Sequence, residues 1–343
     1  MVLDAAAPGA IERAAQALAD GELLGLPTET VYGLAADAGS DAAVAKIYAA
    51  KGRPSDHPLI VHVAPGEPGR MPAGVAAFAQ DWPACWVETL AQRFWPGPLT
   101  LILPRRAGRA EAAAAGQASV GLRCPAHPVA QAVLRAAARR GVAGVAAPSA
   151  NRFGRVSPTT AAHVAAEFGE PLLVLDGGPC AVGIESTIVD ATRGVPVLLR
   201  PGGIGRAEIE QACGLPVRAR DELAADPRAS GTLAAHYAPQ ARVRLMAAPA
   251  LQAALDVLGA EPDAAAPGDP PAVAVYARTP LRTPARRVRL HPMPGDAAAC
   301  ARELFAVLRA LDATGVRLIW VETPPDAPAW DGVRDRLQRA AAA

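Results

Sequence analysis

Short apolar runs alternate with Ala-rich amphipathic stretches in residues 1–200, and this alternation predicts a mixture of strands and helices. Each apolar run is short, is bounded by Gly, Pro or polar residues, and is rich in Leu, Val and Ile, as is typical of buried strands. The predicted strands are residues 22–26, 59–63, 100–103, 119–123, 142–146, 172–175, 186–190 and 197–200.

The amphipathic stretches between these runs predict helices. Pro128 and Pro158 each stand at a plausible first helical position, and Ser157 is placed to cap the second of these two helices. Mixed strands and helices of this kind indicate an α/β or α+β domain with one large twisted mixed sheet and flanking helices. The predicted helices are residues 10–19, 41–50, 127–140 and 159–168.

Periodicity is lost between residues 213 and 239, where Gly and Pro interrupt the chain repeatedly. We therefore predict three parts: a domain over 1–212, a linker over 213–240 long enough to be a functional loop, and a small Rossmann-like α/β domain over 241–343. A loop rich in Pro and Asp, 261–271, interrupts the last part. In the domain over 241–343 the predicted strands are residues 243–246, 273–276 and 316–321. The predicted helices are residues 250–258 and 296–311.

Charge and cysteine usage exclude several classes of function. The 34 basic and 33 acidic residues give a net charge of +1, without the basic excess of a protein that grips nucleic-acid phosphates. The five cysteines form no C-x-x-C pair and the six histidines no H-x-x-x-H pattern, so we predict no disulfide framework and no metal site. Neither a secretory signal nor an apolar run of the ~18 residues that a membrane span needs is visible, so we expect a cytoplasmic protein.

The segment Lys51 to His57 is the first candidate for chemistry. Nearly all the basic residues are Arg, and Lys51 is one of two lysines in the chain. An ammonium group beside the guanidinium of Arg53 suits a polyphosphate. The alternative is structural, with Lys51 near a helix C-terminus and Gly52 as its left-handed cap. No P-loop and no Rossmann glycine pattern is present, so a nucleotide would be held in another way.

Further candidates lie where other predicted strands end. Thr28-Glu29-Thr30 follows the first strand; the alternative is an edge turn in which the hydroxyl groups cap the backbone. Arg123 closes an apolar strand and must meet either an anion or solvent, and Arg200 repeats this arrangement.

The remaining candidates are small polar residues in turns: 147–151 leading to Ser157, the Gly-rich turns of 176–190, and the pair His236-Tyr237 in the linker. No G-x-S-x-G elbow is present, and Glu29 and Glu185 form no convincing acid–base pair. The whole set supplies cations, hydroxyl groups and Gly/Pro turns, which suits positioning and charge neutralisation in a transfer at phosphorus.

These motifs resemble, in order, those of the YrdC-like threonylcarbamoyl-AMP synthases in their longer form with a C-terminal domain. The resemblance extends from about residue 11 to 239, and the C-terminal part matches mainly by position and size. The motifs that carry it read PTETVYGL, KGRPSDHPLIVHV, FWPGPLTLIL, VGLRCPAHP, APSANRFGRVSPTT, GIESTIVD, LRPGGI and HYAP.

The resemblance implies a nucleotidyltransferase that makes L-threonylcarbamoyl-AMP and pyrophosphate from L-threonine, bicarbonate and ATP, with Mg2+ helping to neutralise the phosphates. Partner proteins, a threonylcarbamoyl transferase complex, would use this product to modify the tRNA adenosine next to the anticodon. No membrane association and no stable nucleic-acid binding of the chain itself are expected.

The resemblance also implies roles for individual residues. Lys51 and Arg53 would be catalytic residues at the triphosphate, and Tyr237 would reach from the linker to close over the substrates. The residues implied for threonine are Thr30, His62, Arg123 and Ser186, and those for ATP are Lys51, Arg53, His57, Ser119, Ala147, Ser149, Ser157, Arg200 and Tyr237.

Three other functions are compatible with such a chain. One is an RNA-binding or ribosome-maturation module of the same fold, against which the balanced charge weighs. Another is carbamoyl transfer of the hydrogenase-maturation type, which needs additional domains with cysteine pairs that this chain lacks. The third is a purely structural α/β protein, which leaves Lys51, Arg53, Arg123 and Arg200 unexplained.

Overall fold

The computed structural model divides into two compact units, Met1–Phe153 with Ser157–Thr232, and Gly154–Val156 with Leu233–Ala343. We call them the N-terminal and the C-terminal unit. Parts of the predicted linker and most of the predicted 261–271 loop lie outside the described residues. The structure describes residues 1–67, 69–222, 229–231, 233, 235–260 and 271–343, without the side chains of Ala84 and Asp221.

The N-terminal unit is built on one mixed sheet in the order β1-β8-β2-β3-β7-β4-β6-β5-β9-β10-β11. β4 and β6 run parallel, whereas β5 is antiparallel to β6. This large mixed sheet confirms the predicted fold class. Its strands are β1 (Val2–Asp4), β2 (Leu24–Leu26), β3 (Gly33–Asp37), β4 (Ile60–His62), β5 (Leu99–Pro104), β6 (Ser119–Arg123), β7 (Val145–Ala146), β8 (Leu173–Asp176), β9 (Thr187–Asp190), β10 (Val197–Arg200) and β11 (Arg218–Ala219).

Helices cover parts of both faces of this sheet, so its central strands are buried on both sides. Leu34 and Ala36 on β3 enter one apolar cluster, and Ala35 between them enters the other, because alternate residues of a strand point to opposite faces. The helices are α1 (Ala10–Ala19), α2 (Asp41–Lys51), α3 (Ala73–Phe78), α4 (Ala84–Phe94), α5 (Pro128–Ala138), α6 (Ala161–Phe168) and α7 (Arg206–Cys213), with a 3-10 turn η1 (Arg220–Glu222).

The region of the sheet around β5, β9 and β10 has an apolar cluster of its own, separate from the two clusters above. Ile102 on β5 and Ile188 on β9 form a small separate cluster with Val197 and Leu199, against which Ile60 and Ala229 pack. The polar side chain of Thr100 and the bare backbone of Gly121 lie beside it, facing the same cavity. This face of the sheet is the floor of the candidate site.

Sequence predictions for α1, β6 and β10 agree with the observed bounds, and Pro128 begins α5 as predicted. Two predictions need correction. The strand predicted at 142–146 is limited to β7 because the Val142 N–H closes the end of α5 on the Ala137 carbonyl.

Ser157 is not a helix cap. α6 begins later than predicted, and its cap is Thr160, whose side chain accepts the His163 N–H. The segment before α6 instead contacts a distant part of the chain, because the carbonyl of Pro158 accepts the Tyr32 N–H.

The C-terminal unit contains a four-stranded parallel sheet in the order β12-β15-β13-β14, which confirms the predicted Rossmann-like character. β14 and the C-terminal helix were not predicted from periodicity. No helix in the described part of the chain is long and apolar enough to cross a membrane. The elements are β12 (Arg242–Met246), α8 (Ala248–Ala260), β13 (Val273–Ala277), β14 (Val288–Pro292), α9 (Ala297–Asp312), β15 (Leu318–Glu322), η2 (Pro328–Trp330) and α10 (Asp331–Ala341).

Gly202 allows a close approach of backbone next to the candidate site. A Cβ atom there would lie 2.4 Å from the Thr187 nitrogen and 2.7 Å from the Glu185 carbonyl oxygen. We expect Gly202→Ala to lower the free energy of unfolding of the N-terminal unit by about 1–3 kcal/mol in urea titrations. Gly295→Ala, where a Cβ meets no atom within 4 Å, is the control. Equal stability of both variants would contradict this packing.

Candidate active site

Strand ends bring the predicted threonine residues together. His62 ends β4 and Arg123 ends β6, and the two are direct partners in the parallel pairing of these strands. Thr30 lies in the turn between β2 and β3, and Ser186 immediately precedes β9. The sheet register therefore places residues from distant motifs at one location.

Arg123 meets an anion rather than solvent, which settles the alternative left open by the sequence. Its guanidinium group is buried and donates to Glu29 Oε1 at 2.6 Å, to Thr30 Oγ1 at 2.8 Å and to the Gly97 carbonyl at 3.2 Å. Thr30 Oγ1 in turn lies 2.9 Å from Thr28 Oγ1. A buried guanidinium needs such partners because its desolvation is costly.

His62 presents a neutral imidazole to this site. Burial, and then the positive charge of Arg123, lower the pKa of His62 to about 3. Its Nδ1 atom is buried and has no hydrogen-bond partner in the described structure. Buried polar atoms are rarely left unpaired in folded proteins, so this nitrogen is available to a ligand.

Ser186 contacts both Thr100 and Arg200. Its hydroxyl lies 2.7 Å from Thr100 Oγ1, and its carbonyl accepts from Nε and Nη2 of Arg200 at 3.1 and 2.9 Å. Thr100 was not predicted as a site residue. The available signal was a single hydroxyl within the apolar run of β5.

Lys51 has the structural role that the sequence allowed, and its ammonium group is also buried. It ends α2, and Gly52 adopts a left-handed conformation with φ 62° as the C-cap. Its Nζ atom is nevertheless fully buried and donates to the carbonyls of Ser149 at 2.6 Å and Asn151 at 2.5 Å. Burial, and then the charge of Arg53, hold the pKa of Lys51 well below its usual range. An approaching anion would favour its charged form.

Arg53 organises the loop that follows α2. It donates to the carbonyls of His57 at 3.3 Å and Pro58 at 3.0 Å, and its guanidinium lies 5.8 Å from the centre of the Phe153 ring. The His57 ring makes an edge contact with the same ring. Arg53 also lies 3.4 Å from Ser230 Oγ, and the Ser230 carbonyl accepts from Arg200 at 2.9 Å.

The role of Ser157 differs from the capping role expected from sequence. Its hydroxyl donates to Glu185 Oε1 at 2.5 Å, and both side chains are buried. The carboxylate of Glu185 also acts electrostatically on Lys51. Glu185 is thus a further site residue, part of the GIESTIVD motif but not predicted to bind or position anything.

The cavity over the floor of the sheet is nearly filled in this structure. Its free space is about 20 Å³, roughly the volume needed by one water molecule. Ala147 lies at the end of β7, where its N–H donates to the Ile60 carbonyl. The lining residues are Pro58, Leu59, Ile60, Thr100, Ile102, Gln117, Ser119, Gly121, Ile188, Ala229 and Ser230.

Tyr237 belongs to the C-terminal unit. It has a φ of 63°, an uncommon value for a residue other than Gly, and its ring is buried against Phe305 and His236. The Arg336 guanidinium lies 5.5 Å from the centre of this ring. All the other predicted site residues belong to the N-terminal unit.

The side chains gathered at the site are mainly cationic and hydroxyl groups. The described residues include no group of three or more His, Cys, Asp and Glu that could hold a metal ion. Lys51, Arg53 and Arg200 are buried cationic side chains of the kind that suits phosphate oxygens.

Two family models match the chain. Residues 16–202 match the Sua5/YciO/YrdC model, described as telomere recombination, and residues 204–342 match a model described as the threonylcarbamoyl-AMP synthase C-terminal domain. The chain therefore belongs to the Sua5/YciO/YrdC family, in the form that carries the Sua5 C-terminal domain.

Curated relatives and solved structures agree with this membership. A threonylcarbamoyl-AMP synthase of Bacillus subtilis is 36% identical and covers 96% of this chain and 92% of its own length. A synthase of Pyrococcus abyssi is 41% identical over 70% of this chain and 68% of its own length. The structure of P. abyssi Sua5 complexed with L-threonine matches with a TM-score of 0.83 and 35% identity, covering 96% of this chain and 94% of that one.

The lowered pKa of His62 predicts a neutral ring down to acid pH. We expect its NMR resonances to show no titration between pH 8 and about pH 5. The unfolded chain takes up this proton near pH 6.5, so His62 contributes a loss of stability as the pH falls from about 6.5 towards 3. A His62→Gln variant should lose stability less steeply in that range. Titration of His62 near pH 6.5 in the folded protein would contradict its burial.

Proposed function

We propose that this chain is a threonylcarbamoyl-AMP synthase. The observation that carries the proposal is a set of buried residues at strand ends. His62 and Arg123 are paired across β4 and β6, and Arg200 bonds Ser186 and shares Ser230 with Arg53. Such a site can hold a small amino acid carboxylate at one end and phosphates at the other. Family membership and the synthase relatives support the same activity.

The reaction joins L-threonine, bicarbonate and ATP. The amino group of threonine and bicarbonate give an N-carboxy adduct with loss of water, and one oxygen of this adduct attacks the α-phosphorus. The bond between the α-phosphorus and its bridging oxygen breaks, and pyrophosphate leaves with the electron pair. The product is L-threonylcarbamoyl-AMP, which a threonylcarbamoyl transferase complex would consume in tRNA modification.

Threonine occupies the Arg123 end in this proposal. Arg123 binds the carboxylate of the substrate. The buried, unpaired Nδ1 atom of His62 forms a hydrogen bond with the substrate. Thr30 and Ser186 contribute hydroxyl groups. A site that pairs with the β-hydroxyl rejects analogues lacking it more strongly than analogues lacking a methyl group.

ATP enters as its magnesium complex, with Mg2+ held on the phosphates. Lys51 and Arg53 face the triphosphate together with Arg200, and Ser119 and Ser149 line the nucleotide region. The protein contributes mainly positioning and charge neutralisation, which are the main requirements of a transfer at phosphorus.

The linker acts as a lid over this site in our proposal. Ser230 contacts both Arg53 and Arg200 and lines the nearly filled cavity, so the segment 229–231 must move before a nucleotide can occupy that space.

The activity is tested by pyrophosphate release from MgATP with and without L-threonine and bicarbonate. The proposal expects release only when both are present. Release that is independent of threonine, from folded protein, would refute the assignment.

Variants of two buried cations test whether Lys51 acts on ATP and Arg123 on threonine. We expect Lys51→Ala to lower kcat/KM for ATP by about 100-fold, because it removes a preorganised cation. Arg123→Ala should instead raise the KM for threonine more than the KM for ATP. Steady-state kinetics with each substrate varied check this, with melting curves showing that both variants fold. Equal effects on both substrates would contradict the assigned roles.

Tyr237 is included among the ATP-binding residues in this proposal, as the resemblance implies. We expect Tyr237→Ala to lower kcat/KM for ATP by about 10-fold. Tyr276→Phe, which removes a buried hydroxyl elsewhere in the C-terminal unit, is the control. Unchanged activity and substrate affinity in Tyr237→Ala would remove this role of Tyr237.

A further inference from the structure

Glu29 is a buried carboxylate to which the proposed reaction gives no role. Its side chain accepts from Arg123 Nη2 at 2.6 Å through Oε1 and from the Ala126 N–H at 3.0 Å through Oε2. Its backbone carbonyl accepts the Val182 N–H at 2.7 Å. Both carboxylate oxygens and the backbone are thus fixed, which makes Glu29 a rigid support for Arg123.

The contacts of Arg123 leave a defined part of its guanidinium group for a ligand. Nε donates to Gly97, one N–H of Nη1 to Thr30 and one N–H of Nη2 to Glu29. A guanidinium group carries two N–H groups on each Nη, so one N–H on each Nη has no protein partner among the described residues. One hydrogen from each Nη is what a bidentate carboxylate requires.

The charges around Arg123 assign a second role to Glu29. His62 is neutral at physiological pH, and burial raises the pKa of the Cys124 and Cys180 thiols to about 12. Glu29 therefore supplies the negative charge that compensates the guanidinium before any substrate binds. Without it, a buried and uncompensated cation would be forced to reorient or to recruit water.

We propose that Glu29 is a positioning residue for threonine recognition. It holds Arg123 so that one hydrogen of each Nη is presented to the substrate carboxylate, and it keeps the empty pocket near neutral. This inference rests on the proposed function, because it takes threonine to be the substrate bound by Arg123. It places Glu29 next to Arg123 rather than in the chemical step.

The test compares Glu29→Gln with the wild type in threonine-dependent pyrophosphate release. Gln replaces one of the two acceptor oxygens with an NH2 donor, so it cannot keep both the Arg123 and the Ala126 hydrogen bonds in place, and we expect the KM for threonine to rise at least about 10-fold. The KM for ATP should stay within about twofold, a split that general destabilisation would not produce. Glu12→Gln is the matched control, since Glu12 is an exposed carboxylate that also pairs with arginines.

Two further variants keep the test decisive. Glu29→Asp retains the charge and should fold even where Glu29→Gln is unstable, yet still raise the KM for threonine selectively. In a double-variant cycle with Arg123→Lys, the effects of Glu29→Gln and Arg123→Lys on threonine binding should not multiply, because both remove the same interaction.

The outcomes distinguish this inference from the proposed function. No threonine-dependent release by the wild type would refute the proposed function itself. Threonine-dependent wild-type release with an unchanged KM for threonine in both Glu29 variants, or fully multiplicative effects in the cycle, would overturn the role of Glu29 alone.

Discussion

Four cationic side chains buried in the N-terminal unit impose the constraint on which the candidate site depends. Lys51, Arg53, Arg123 and Arg200 are between 2% and 8% exposed. A buried charge is tolerated only when it is paired or fully hydrogen-bonded. The chain must therefore bring acceptors from distant segments to each cation.

The acceptors that meet this requirement define the geometry of the site. Lys51 is held by carbonyls about 100 residues away in the chain, those of Ser149 and Asn151. Arg123 is held by Glu29 and Arg200 by the carbonyl of Ser186. Each pairing fixes the direction of a cationic group, and such preorganisation suits a transfer at phosphorus. In our proposal, the same hydrogen bonds serve stability and function.

The local pattern of apolar and polar residues predicted much of this fold, but it did not predict which buried polar side chains pair with one another. The bounds of β6 and α1 follow from short apolar runs and amphipathic spacing, and the register of β4 against β6 then places His62 beside Arg123. The pairing of Ser157 with Glu185 was missed because a hydroxyl before a helix fits a cap equally well. Tertiary contacts decide whether such a hydroxyl caps a helix or pairs with a distant side chain, and the local sequence carries no signal of those contacts.

The central claim is most directly tested by tracing carbon from bicarbonate into an adenylate. The protein is incubated with MgATP, L-threonine and 13C-labelled bicarbonate, and the nucleotide products are analysed by mass spectrometry. Our account predicts an adenylate that contains threonine and carries the label in its carbamoyl carbon, and no such species without threonine. An unlabelled threonyl adenylate, or AMP as the sole nucleotide product, would contradict it.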